Sequence, residues 1–272
     1  MSKLPIGIQL YSVRDAMEAD FAGTLKELKK MGYDAVEFAG LFDYSADEVK
    51  KMCEDADIIP ISAHVGRNVL FSDIPSVVAN YAKIGCKYIV IPSAVREILP
   101  GGEKYNTLLD GIKKTAAECA KYGIKLLYHN HDFEFDKVDG EYILDRLYAD
   151  TDESELQTQI DTCWAKVGGV DPAGYVLKYS GRAPLVHIKD FVGSKSAKMY
   201  ELIDGTEVKE EGEQVPFQLR PVGYGIQDVL SIIQASEKAG AEMVIVEQDQ
   251  PSLEKTSMEC AKLSIDYIKN IY

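Results

Sequence analysis

Two of the four histidines in this sequence fall one residue apart, in Lys125-Leu-Leu-Tyr128-His129-Asn130-His131-Asp132-Phe133-Glu134-Phe135. The stretch begins as an apolar strand and turns into groups that bind metal or move protons. Side chains of a strand alternate between two faces, so His129 and His131 point the same way. A lone imidazole is more simply a satisfied core residue. Two imidazoles with Glu134 close behind point to chemistry, because polar groups rarely cluster without a use.

The elements that must position them can be read from a recurring unit: an amphipathic helix, a glycine, two residues and a short apolar run. It occurs at Leu28–Phe38, Tyr81–Ile91, Cys119–His129 and Glu237–Glu247, with Gly32, Gly85, Gly123 and Gly240 where a helix gives way to a strand. Glycine suits the left-handed residue that ends a helix. Filling the gaps gives eight strands, at Gly7–Tyr11, Ala35–Phe38, Ile61–His64, Tyr88–Ile91, Lys125–His129, Leu156–Asp161, Leu185–Lys189 and Met243–Glu247. Helices are expected at Phe21–Met31, Ser45–Ala56, Ile74–Ile84, Tyr105–Lys121 and Gln227–Ala239. Unbroken apolar strand centres mark parallel strands covered on both faces. Eight βα units in 272 residues make an α/β fold of the (β/α)8 TIM-barrel type the first choice and an open doubly wound sheet the second. One domain, residues 1–272, is expected, with a polar excursion at about 192–221 after strand seven. A loop of that length is usually a lid, a binding loop or an oligomer contact.

Sites of such barrels form at the C-terminal ends of the strands. Gln9, Glu37, His64, His129, Asp161, His187 with Lys189, and Glu247 all fall at strand ends, and every histidine of the chain is at or just beyond one. Imidazoles and carboxylates converging on one rim match the mixed ligand set of a single divalent ion, Mn²⁺, Zn²⁺, Co²⁺ or Fe²⁺. A formal charge of −14 argues against nucleic acid as a partner. No apolar run approaches a membrane span, and five cysteines without a CxxC pair suit a reducing cytoplasm. The pair Gly223-Tyr-Gly225 resembles part of a dinucleotide loop, but no strand leads into it, and a turn into the following helix is the simpler reading.

The motifs Gly7-Ile-Gln-Leu-Tyr-Ser-Val-Arg14, Tyr128–Phe135, Gln159-Ile-Asp161-Thr-Cys-Trp164, Val186-His-Ile-Lys-Asp190, Val222–Asp228 and Ile245-Val-Glu247 resemble, end to end, those of the xylose isomerase-like sugar isomerase/epimerase barrels. That group also takes in inositol-catabolism enzymes, 3-dehydroshikimate dehydratases and endonuclease IV. The resemblance implies one divalent ion, with manganese favoured and magnesium a further option, held by Asp161, His187, Glu247 and a residue of strand five. Many relatives have Glu there. In this chain either His129 takes that place, the preferred reading, or Glu134 reaches back to it.

By the same resemblance the substrate is a small carbohydrate, polyol or keto-sugar. The reaction is isomerisation or epimerisation through an enediolate, with Glu247, His131, Glu134 and Lys189 as catalytic groups. A lyase or dehydratase is the alternative, and a non-catalytic sugar-binding protein the alternative of another class. An endonuclease role needs more histidines and a basic groove. Gln9, Glu37, His64 and Trp164 are candidates for binding the substrate; otherwise they are packing or ion-paired groups beneath the rim. Barrels of this kind often pair, so a homodimer is one candidate assembly, although the sequence does not fix the oligomeric state.

Overall fold

The apolar runs fold as their periodicity requires. In a computed structural model, which describes residues 3–195 and 216–272, eight parallel strands close into a barrel: β1 (Ile6–Gln9), β2 (Ala35–Phe38), β3 (Ile59–His64), β4 (Tyr88–Ile91), β5 (Lys125–His129), β6 (Gln157–Asp161), β7 (Leu185–Ile188) and β8 (Met243–Val246). Each strand pairs with its neighbours in sequence, and β1 closes on β8. Most strand residues are buried on both faces, because helices cover the outside and side chains fill the inside. Ala35, Ile61, Tyr88, Val90, Leu127, Leu185, Met243 and Ile245 form an apolar plug within the barrel. Above it the inward positions turn polar, and the site begins there.

Local chemistry explains the helix ends. The helix Ala46–Ala56 starts on a capping box in which Ser45 and Glu48 each bond the other's backbone N–H, an arrangement that satisfies two otherwise orphaned donors. At the other end of the unit, Gly85 takes φ 107° and returns its N–H to Tyr81 and Ala82 of the helix Ile74–Ile84. A side chain is strained in that conformation. The expected helices are present within about two residues of their expected ends, at Phe21–Met31, Tyr105–Ala120 and Val229–Ala239 for the others. The helix Ser257–Ile271 completes the ring.

Strand three differs from expectation in a way that matters. It begins at Ile59, two residues earlier than its apolar run suggests, and its register against β2 slips between Val36 and Glu37. Such an irregularity shifts which side chains face inward. Ile61 still packs in the barrel plug, while Ser62 pairs with Glu37 and bonds to it inside.

The excursion after strand seven starts and ends in a two-stranded antiparallel pair, Asp190–Val192 with Gln218–Arg220. Residues 196–215, where a lid or binding loop was expected, lie outside the described residues. The glycine pair 223/225 does make a turn. Asp190 accepts the backbone N–H groups of Phe191, Gly223, Gly225 and Gln227, and a Cβ on Gly225 would come within 2.2 Å of its Oδ1. All five cysteines are buried free thiols. Among the described residues no helix is long and apolar enough to cross a membrane.

Candidate metal centre and active site

Alternation along four neighbouring strands brings one polar residue from each to the same point. His129 ends β5, Asp161 ends β6, His187 lies on β7 beside Asp161 in register, and Glu247 follows β8. Each offers a ligand atom within 4.8 Å of the others, and all four are buried. Asp161 divides its work: Oδ1 accepts the N–H of Trp164 at 2.9 Å, while Oδ2 is buried without a hydrogen bond among the described residues. The nearest cationic or imidazole nitrogens to Oδ2 are Lys189 Nζ at 3.6 Å and His129 Nε2 at 3.8 Å. A buried carboxylate oxygen left this way is costly unless a cation completes it. Two imidazoles and two carboxylates suit a first-row divalent ion, so these residues fit the expected metal.

The electrostatics agree. Burial alone would lower His187, but Glu37 and Glu247 on either side push it up to about 10. Its two nitrogens lie 2.7 Å from Glu37 Oε1 and 2.9 Å from Glu247 Oε2. Positive charge is thus favoured at this point, whether carried by a proton or by an ion. Burial works against the charge of Glu247 too, yet Lys189 and His187 hold its carboxyl well below the usual range. His129 is driven the other way, by burial and then by His187 and His64, and stays neutral as a ligand must.

Above the cluster opens a cavity of about 280 Å³, lined among others by Tyr11, His64, Ser93, His131, Lys189 and Asp249. The ammonium of Lys189 is 3.0 Å from Glu247 Oε2 and 3.1 Å from Asp249 Oδ1 and sits 5.2 Å over the Trp164 ring. Burial disfavours its charge, but Asp249, Glu247 and Asp161 outweigh that and raise it well above the ordinary lysine value. His131 stacks on Phe133 with ring centroids 5.5 Å apart. Burial and then Lys189 push its pKa down to about 3, which leaves a neutral base on the cavity wall. Asp249 is raised by burial to about 6 despite Lys189.

The structure brings together the expected metal set His129, Asp161, His187 and Glu247, and places His131, Lys189 and His64 on the cavity. Several other candidates sit elsewhere. Glu134 does not reach the cluster. Its Oε1 accepts from Tyr128 Oη at 2.7 Å and its Oε2 from the His131 N–H at 2.9 Å, so it clamps the loop after β5 and is not placed to act on a substrate. Glu37 and Gln9 are fully buried and bonded to each other at 2.9 Å beneath the cavity. Trp164 is also fully buried, stacked on Phe217, behind Lys189 and not facing a sugar. For these three the packing role beneath the rim fits better than substrate contact. Tyr11, Ser93 and Asp249 also line the cavity. Tyr11 closes the expected first strand, and Ser93 and Asp249 each lie two residues past an expected strand end, which was the available signal.

A family model described as xylose isomerase-like TIM barrel matches residues 25–271. An inosose dehydratase of Geobacillus kaustophilus is 28% identical over 190 residues, covering 61% of this chain and 60% of that protein. The chain thus spans about 60% of the length of this curated relative. Among solved structures, a sugar phosphate isomerase/epimerase from Parabacteroides distasonis is 21% identical with a TM-score of 0.77, covering 99% of this chain and 94% of that one. The IOLI protein with a binding zinc atom is 14% identical with a TM-score of 0.70, and 98% of each chain is covered. At these identities the structural likeness is one of fold.

Proposed function

The chain belongs to the xylose isomerase-like TIM-barrel family, and from that premise we propose that it is a divalent-metal-dependent enzyme that removes water from a small keto-polyol or keto-sugar. One observation carries this over isomerisation or epimerisation. Epimerisation asks for two bases on opposite faces of the substrate, a part an imidazole can also take, whereas elimination asks for one. Here strand five contributes imidazoles and Glu134 is turned away, bonded to Tyr128 and His131. The dehydratase relative supports the same choice.

His129, Asp161, His187 and Glu247 would hold the ion. When bound, it supplies positive charge that offsets the negative charge developing on a substrate oxygen as the neighbouring C–H is deprotonated. His131, neutral and on the cavity wall, is placed to take that proton. Lys189 is a fixed ammonium, oriented by Asp249, Glu247 and the Trp164 face. It hydrogen-bonds the hydroxyl on the next carbon, to which His131 passes the proton it has taken. The C–O bond then breaks, water departs, and a C=C bond conjugated to the carbonyl remains. Tyr11, Ser93 and His64 offer the remaining hydroxyls their hydrogen bonds.

Epimerisation keeps one supporting observation: His131 and Glu247 line the same cavity from different strands. NMR in D₂O with inososes and keto-sugars, in the presence of Mn²⁺, Co²⁺ or Zn²⁺, distinguishes the two. Dehydration gives an unsaturated or tautomerised product lacking one oxygen. An epimer carrying a single deuterium with all oxygens retained would refute elimination.

A further inference from the structure

Beneath the metal ligands lies a hydrogen-bonded layer whose centre, Glu37 with Gln159, has no part in the proposed reaction. Glu37 sits at its centre: Gln9 Nε2 approaches at 2.9 Å, Ser62 Oγ at 2.6 Å, Gln159 Nε2 at 2.6 Å, His187 Nε2 at 2.7 Å and His64 Nε2 at 3.0 Å. Only an ionised carboxylate can accept from so many donors. Because it only accepts, Gln159 must turn its NH₂ toward Glu37 and its Oε1 away. That oxygen lies 2.7 Å from His64 Nε2 and 3.1 Å from His129 Nδ1.

An amide oxygen also only accepts. Hydrogen therefore sits on Nδ1 of His129, and the lone pair is on Nε2, the nitrogen that faces Asp161 Oδ2 at 3.8 Å. Gln159 is held opposite His129 by the register of β5 and β6, so this contact is built into the barrel. His187 differs, because carboxylates flank both its nitrogens, Glu37 at Nε2 and Glu247 at Nδ1, and no neighbour selects one tautomer.

We infer that Gln159, oriented by Glu37, is a positioning residue that fixes the tautomer of His129 and so makes a strand-five imidazole competent to hold the ion. A glutamate in that place needs no such device, since its two oxygens are equivalent. An imidazole has one lone pair, and which nitrogen carries it is decided by the partner of the other. The exchange of carboxylate for imidazole on strand five thus requires an acceptor in the layer below, and Gln159 provides it.

The inference rests on the metal reading of the cluster, and the test separates the two. In ¹⁵N-histidine-labelled protein stripped of metal, long-range ¹H–¹⁵N spectra should show His129 protonated at Nδ1 and bare at Nε2. The opposite tautomer would overturn the inference and leave the metal reading standing. Gln159→Met keeps the volume and removes the oxygen. Folded by near-ultraviolet circular dichroism, it should bind Zn²⁺ about 10–100-fold more weakly in chelator competition, with His129 a mixture of tautomers.

Glu37→Gln puts an NH₂ among five donors, so Gln159 should rotate and His129 pass to the Nε2–H form with a comparable loss. Zinc affinity within threefold of wild type in folded Gln159→Met would also overturn the inference. If neither variant folds, the wild-type tautomer still decides. Absence of any Zn²⁺ uptake by the wild type would overturn the metal reading and this inference with it.

Discussion

Glu134 shows how a residue of the right type, in the right motif, can serve the fold alone. Burial raises its carboxyl to about 8, against the lowering effect of the Tyr128 hydroxyl and the His131 N–H. An unfolded glutamate titrates near 4.3, so the folded state holds a proton that the unfolded state releases. Stability linked to this group is therefore full below about pH 4 and falls as pH rises toward 8, at about 1.4 kcal/mol for each unit separating the two values. Glu134→Gln removes that dependence. Its carbonyl can accept from His131 N–H, and its NH₂ can donate to Tyr128 Oη. The variant should melt higher than wild type at pH 8, and the difference should shrink toward pH 5. A gap independent of pH would show that Glu134 is ionised throughout, whereas Glu134→Ala should cost about 1–3 kcal/mol at either pH by orphaning both donors.

Among the elements, the turn between the Gln218–Arg220 strand and the helix Val229–Ala239 depends on one carboxylate. Asp190 accepts four backbone N–H groups from it and from Phe191, and this orders the segment beside Lys189. Asp190→Asn keeps the shape but turns an NH₂ toward backbone donors on one side. A loss of about 2–4 kcal/mol is expected from hydrogen bonds of this charged type, seen as a melting point lower by roughly 4–16 °C for a chain of this size. An unchanged melting point would mean that the turn holds itself. The bulged start of β3 acts at the same scale, since the register slip at Val36/Glu37 sets Ser62 against Glu37 and brings His64 to the cavity.

Across the whole molecule, the acidic groups Glu37, Asp161, Glu247 and Asp249 crowd around Lys189 and the three imidazoles His64, His129 and His187 in the mouth of one barrel. An ion bound to the native state alone stabilises it by mass action, about 2.7 kcal/mol at 100 times its Kd. Adding Mn²⁺, Co²⁺ or Zn²⁺ to chelator-treated protein should thus raise the melting point by roughly 5–11 °C, reversibly with chelator. No shift with any of the three would count against a metal centre. The overall charge of −14 favours cation uptake in the same direction.

Much of this was legible in the chain itself. Helix, glycine and apolar run recur often enough to give eight βα units, which made a (β/α)8 barrel the first choice over an open doubly wound sheet, and residues at barrel strand ends then share one rim. Strand ends placed His129, Asp161, His187 and Glu247 on that rim together with Gln9, Glu37, His64 and Lys189, and the family resemblance singled out the metal set among them, with Glu134 the alternative to His129. Tertiary structure decided what position along a strand cannot. Whether an inward residue faces substrate or sits a layer below depends on its height within the barrel and on its cross-strand neighbours. Hence Glu37, Gln9 and Trp164 went beneath the cavity, Glu134 turned back on its own loop, and Gln159, two residues before Asp161, came to face His129 on the neighbouring strand. Hydrogen-bond partners across strands are set by register, and register exists only once the barrel has closed.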